Sequence, residues 1–184
     1  MHSTAHIGVT DEMPVVVIMG VAGSGKSIVG RRLSVRLNVP FCEGDDLHPA
    51  ANIAKMKMGN PLDDADRAPW LARVACWMKD HPAGGVVTCS ALRRRYRDRL
   101  REGQLVSPLM VLLNPPRVVL QSRLEGRKGH FMPAGLLDSQ LRTLELPSPN
   151  EKVLVLAEIE QPEPLVDQLA LWFSEQMNKH RWLM

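Results

Sequence analysis

Cysteine is scarce in this chain. The three present, Cys42, Cys76 and Cys89, are scattered. They have no metal-ligand spacing and no repeat of a disulfide framework, which points to reduced thiols in a reducing compartment. Long apolar runs are also missing. The longest near the start, Val15 to Met19, is far too short to span a membrane. Aromatic residues are few, at 4%. Only Tyr96 accompanies the basic run Arg93, Arg94, Arg95, Arg97, Arg99 and Arg101. Without a stacking set, that run reads as a solvated helix face with one or two members turned toward a site, and no nucleic-acid partner is expected. The net charge of +3 is too small to argue for nucleic acid by itself, but it suits an anionic ligand.

Nothing divides the chain: there is no repeat, no low-complexity segment and no linker. At 184 residues it is long enough for one sizeable core. Met1 to Met13 carries Asp11 and Glu12 and no long apolar stretch, so a secretory signal is not expected. Residues 1–13 are expected to form a flexible tail and residues 14–184 a single domain in the cytoplasm.

Val15 to Met19 is a continuous, mostly β-branched run ending at Gly20, the pattern of a strand buried on both faces. A helical pattern follows from Lys26, with Val29, Leu33 and Leu37 on one face. Further strands are predicted at 39–42, 86–89, 109–113 and 153–156. Helices are predicted at 48–58, closed by Gly59, and at 66–79, with Pro69 in its first turn. Others are predicted at 92–101, 116–125, 134–144 and 164–176. Alternating strands and helices predict an α/β fold, a parallel sheet with helices on both faces.

Gly20-Val21-Ala22-Gly23-Ser24-Gly25-Lys26-Ser27 fits G-x-x-x-x-G-K-[ST] at every fixed position, between a buried strand and an amphipathic helix. The glycines let successive N–H groups turn toward phosphate oxygens, and the helix adds its positive end. Lys26 is expected to reach the β- and γ-phosphates of ATP and Ser27 to ligate Mg²⁺. The guanine-reading N/T-K-x-D pattern is absent, and the strand ending Thr88-Cys89-Ser90 carries no metal-orienting aspartate. The acids Glu43 and Asp45 after the second strand are left to do that work, which favours a small-molecule kinase.

Several further blocks lie in order along the chain: Glu43-Gly44-Asp45-Asp46-Leu47-His48-Pro49, Asp66-Arg67-Ala68-Pro69-Trp70-Leu71, Cys89-Ser90-Ala91-Leu92-Arg93-Arg94-Arg95 and Arg127-Lys128-Gly129-His130-Phe131-Met132. With the phosphate loop, they make the chain resemble the gluconokinases of the small P-loop type, relatives of shikimate kinase and the nucleoside monophosphate kinases. The resemblance implies a three-layer P-loop kinase fold with five parallel strands in the order 2-3-1-4-5, a mobile lid at roughly 123–135, and a homodimer. It also implies ATP, Mg²⁺ and a sugar-acid substrate, gluconate.

On this resemblance Asp45 is the candidate general base; a helix cap is its other reading, though Asp46 would serve as well. Glu43 is either a holder of a metal-bound water or a solvated acid. Arg67 and Arg93 are candidates for the substrate carboxylate, or partners of acids such as Asp63 and Asp98. His48 either bonds a sugar hydroxyl or is a structural partner near a turn. Arg123 and Arg127 belong to the lid, where Arg127 would stabilise charge on the transferring phosphoryl group; ordinary surface charge is the alternative. Gln140 leans toward the substrate or joins the core with Leu137 and Leu141.

Overall fold

The computed structural model describes residues 12–126, 134–157 and 161–181. Its strands are β1 (Met13–Met19), β2 (Phe41–Cys42), β3 (Ala83–Thr88), β4 (Leu109–Leu113) and β5 (Val153–Leu156). They form one all-parallel sheet in the order β2-β3-β1-β4-β5, as the resemblance implied. Seven α-helices lie among the described residues: α1 (Lys26–Leu37), α2 (Ala50–Lys57), α3 (Asp64–Lys79), α4 (Arg94–Arg101), α5 (Arg117–Glu125), α6 (Ala134–Thr143) and α7 (Pro162–Arg181). None of the described helices is long and apolar enough to cross a membrane.

The continuous apolar run of β1 is explained by what covers it. Val15, Val17 and Met19 face one core with Trp70, Leu71 and Val74 of α3 and Leu100 of α4. Val16 and Ile18 face the other, with Val29 and Leu33 of α1 and Leu169 and Phe173 of α7. Alternate side chains thus meet opposite helical layers, so no position on the strand is left for a polar residue. A smaller cluster, Val21, Leu92, Leu120 and Leu137, ties the phosphate loop to α5 and α6.

The elements differ from expectation mainly at their ends. Strand β3 starts at Ala83, earlier than the predicted 86, because Gly84 and Gly85 hide the strand pattern. Space explains Gly85: an added Cβ would lie 2.8 Å from the Trp77 ring. Helix α3 starts at Asp64, not Asp66. Asp63 accepts from the Asp66 N–H at 2.9 Å, and Asp66 accepts from the Asp63 N–H at 2.8 Å, a reciprocal cap that opens the helix earlier. Pro69 therefore lies inside the helix, past its first turn. Helix α2 starts only at Ala50, leaving His48 as the cap of a short 3-10 turn over Gly44–Leu47.

The arginine run holds one member the sequence reading placed wrongly. Arg97 is 1% exposed and buried with Glu151. Its Nε and Nη2 donate to the two carboxylate oxygens at 2.6 and 2.9 Å, and Nη1 donates to the Glu145 carbonyl at 3.0 Å. This two-point fork ties α4 to the segment entering β5. The other members form pairs nearer the surface: Arg93 and Arg95 with Asp64, Arg94 and Arg101 with Asp98, and Arg99 with Glu102. Such exposed pairs contribute little each.

The hydrogen bonds from Arg97 hold the Glu151 carboxyl down at about 2. A carboxyl lowered from 4.5 in the folded state stabilises the fold fully above that value, and the contribution is lost as pH falls toward about 2. Glu151→Gln leaves a buried guanidinium uncompensated and is expected to cost about 3–5 kcal/mol in a denaturant titration. It should also flatten the fall in stability between these two pH values. A variant matching the parent in both tests would show that the pair is not structural.

Candidate active site

The turns following β1, β2 and β3 leave the sheet at its carboxyl edge, and β1 lies where the strand order reverses. That is where open α/β sheets bind ligands. A cavity of about 520 Å³ occupies this place.

One wall is the phosphate loop, through Ala22, Gly23, Gly25, Lys26 and Ser27. Gly25 has φ +98° and directly precedes α1, a conformation that L side chains rarely adopt. Gly20 is needed for space: a Cβ there would collide with the Leu113 carbonyl oxygen and sit 2.7 Å from Ser24 Oγ. Helix α1 has no side-chain cap and no acid in its first turn, so its positive end is offered to an anion. Lys26 Nζ donates to the Val21 carbonyl at 3.0 Å, and Arg123 Nη1 to the Ser24 carbonyl at 3.3 Å. The latter bond brings the end of α5 over the loop. Gln140 of α6 lies here too, its Oε1 accepting from the Ala22 N–H at 2.7 Å.

The opposite wall comes from the turn after β2 and from α2 and α3. Asp45 and His48 line it, with Ile53, Met56 and Lys57 of α2 and Arg67 and Trp70 of α3. Gly44 anchors this wall. Its N–H donates to Thr88 Oγ1 at 3.0 Å, and its carbonyl accepts from Trp70 Nε1 at 2.7 Å. Any Cβ at Gly44 would overlap the Thr88 carbonyl oxygen. Trp70 then stacks on His48, ring centres 4.2 Å apart and planes 14° from parallel. Burial pushes the His48 imidazole below its ordinary value; the Asp45 charge opposes that shift and Arg67 adds to it. Arg67 Nη1 donates to the Leu62 carbonyl at 2.5 Å, fixing the guanidinium at the cavity's edge.

Lys26, Ser27, Asp45, His48 and Arg67 therefore meet in one cavity, with Arg123 against the loop that forms its wall. Arg93 departs from its expectation. It does not line the cavity, and its guanidinium lies 3.4 Å from Asp64, which also holds Arg95 and the Tyr96 hydroxyl. Glu43 accepts from the Thr88 hydroxyl and lies outside the cavity lining. Arg127 lies outside the described residues. Sequence reasoning missed Lys57, Trp70 and Ser90 as lining residues. Trp70 and Ser90 stand in blocks that carry the resemblance, but no residue type among the three signals a ligand by itself, and only packing of α2, α3 and the β3 turn brings them together. Cys89 is fully buried in the core shared with α3, and burial pushes its thiol up to about 12, so it stays protonated near neutral pH.

No family model matches the sequence. It is 45% identical over 163 residues to a gluconokinase from Gluconobacter oxydans strain 621H, covering 86% of this chain and 90% of that protein. It is 41% identical over 148 residues to the thermosensitive gluconokinase of Escherichia coli K12, covering 78% of each chain. A crystal structure of a gluconokinase from Sinorhizobium meliloti 1021 superposes with a TM-score of 0.84 at 39% identity, covering 92% of this chain and 97% of that one.

Gly44→Ala is expected to cost about 1–3 kcal/mol in thermal unfolding, because the methyl group must displace the Thr88 carbonyl. An unchanged transition would show that the turn moves aside freely.

Proposed function

The chain belongs to the gluconokinase family, and on that premise we propose that it transfers the terminal phosphoryl group of ATP to the primary hydroxyl of gluconate. The products are ADP and 6-phosphogluconate. The observation that carries this reading is the convergence of the phosphate loop, Asp45, His48 and Arg67 on one cavity.

Loop N–H groups, those of Gly23, Gly25, Lys26 and Ser27 among them, would cradle the triphosphate, and Lys26 would exchange its side-chain bond to Val21 for the β- and γ-phosphates. Ser27 would hold Mg²⁺. Among the described residues no cluster of three or more acidic, histidine or cysteine side chains could hold a metal alone. That donor set fits an ion that keeps its waters and takes phosphate oxygens. When bound, Mg²⁺ supplies charge neutralisation on those oxygens.

Asp45 would orient the substrate hydroxyl in line with the γ-phosphorus and take its proton as the new O–P bond forms and the bond to the β-phosphate oxygen breaks. The proton then passes to solvent. Arg67, and not Arg93, is the guanidinium we assign to the gluconate carboxylate, since it alone of the two lines the cavity. His48 would hydrogen-bond the sugar acid. Arg123 would close the nucleotide side, and Arg127 enters the proposal on the family resemblance, as do the lid, the homodimer and a cytoplasmic location.

A coupled ADP-release assay across gluconate, shikimate and nucleoside monophosphates should show turnover with gluconate; activity confined to another acceptor would overturn the substrate. Lys26→Ala should lower kcat by about a hundredfold or more, and near-normal turnover would remove the loop from the mechanism. Asp45→Asn should lower kcat by about a hundredfold or more with little change in the KM for ATP. Asp45 caps neither the 3-10 turn nor α2, so normal turnover would leave it a wall residue and remove it as the base.

A further inference from the structure

Asn52 touches no proposed reacting atom, yet it controls what His48 can offer the substrate. It lies one helical turn beyond His48, in the first turn of α2, and is 4% exposed. Its Nδ2 lies 2.8 Å from the backbone carbonyl oxygen of Asp66 and 3.2 Å from His48 Nδ1. A carbonyl oxygen only accepts, so the amide end facing Asp66 must be the NH₂ group. The same nitrogen faces His48, and Nδ1 must therefore be the accepting nitrogen of a neutral ring. The proton sits on Nε2.

The ring has little freedom to do otherwise. Trp70 covers one face, and the indole is itself tied to Gly44. Among the described residues, the buried side-chain polar atoms without a partner are Ser24 Oγ and Ser148 Oγ. His48 Nε2 is not one of them and bonds to no other described residue, while His48 lines the cavity. Nε2–H is thus a donor open to the cavity. The charged groups facing the ring are Asp45 from its own turn and Arg67 from α3.

We propose that Asn52 is a positioning residue that holds His48 as a neutral Nε2–H donor, aimed at an acceptor oxygen of the bound sugar acid. The identity of that ligand rests on the gluconate reading; the tautomer does not. The wall then presents complementary groups: Asp45 accepts a proton from the reacting hydroxyl, and His48 donates a hydrogen bond to a neighbouring oxygen. An acceptor lacking an oxygen at that position leaves the Nε2–H unpaired and is rejected.

Long-range ¹⁵N–¹H correlation spectra of the unaltered protein near neutral pH read the tautomer without substrate, with His48→Gln identifying the signals. The expected result is an unprotonated Nδ1 and a protonated Nε2. A Nδ1–H tautomer or an imidazolium overturns the proposal. Asn52→Ala should raise the KM for gluconate about tenfold or more while leaving the KM for ATP unchanged. Asn52→Asp, whose carboxylate accepts, should draw a proton to Nδ1 and give a pH profile unlike the parent's. If Asn52→Ala folds and keeps the parent KM for gluconate, the positioning role fails. No gluconate turnover by the unaltered protein would instead overturn the functional reading, so the two failures are distinguishable.

Discussion

Gly44 donates its N–H to Thr88 Oγ1 and accepts from Trp70 Nε1, and the acceptor side of the cavity is built outward from that pair of bonds. Strand β2 is two residues long, paired only to Val86 and Val87 of β3, too short to fix the chain beyond it by its ladder. The buried bonds at Gly44 supply that restraint where water cannot compete, and both backbone polar groups of the residue are satisfied. From there the turn delivers Asp45 and His48, Trp70 covers the histidine, and α2 returns Asn52 to its ring nitrogen. The absence of a side chain at one position allows this approach of turn and strand.

The two walls offer different chemistry. The phosphate loop uses backbone N–H groups and the end of a helix, which respond to negative charge and little else. That half suits any nucleotide triphosphate and any member of a wide fold. The opposite wall uses side chains with direction: a carboxylate, an imidazole and a guanidinium drawn from one turn and one helix. On the proposed reading, selectivity for the acceptor would reside on the β2, α2 and α3 side. Gln140 ties α6 to the loop wall, since it lines the cavity and accepts from the Ala22 N–H.

The sheet was legible because parallel strands covered on both faces must be apolar throughout, and Val15 to Met19 and Leu109 to Leu113 leave no other reading. The phosphate loop was legible because its motif is local, with every fixed residue type inside eight consecutive positions. What could not be read depended on distant partners. Arg97 looks like its neighbours in the run until Glu151, 54 residues away, is placed beside it. Arg93 could be read as a substrate ligand or as the partner of a nearby acid, and only the placement of α3 brings Asp64 alongside as that acid. The start of α3 was missed for a nearer reason: Asp63, Asp64 and Asp66 all suit a helix start, and only the reciprocal cap selects among them.

The pairing of Arg97 with Glu151 also bears on how such a chain can diverge. Either position altered alone strands its partner's charge in the interior, whereas a matched apolar exchange at both removes the charges together. Viable lineages should therefore move between the charged and apolar states by paired replacement, or not at all. The two positions lock α4 to the approach of β5 as a unit, whereas the surface pairs around them can each be lost singly at little cost.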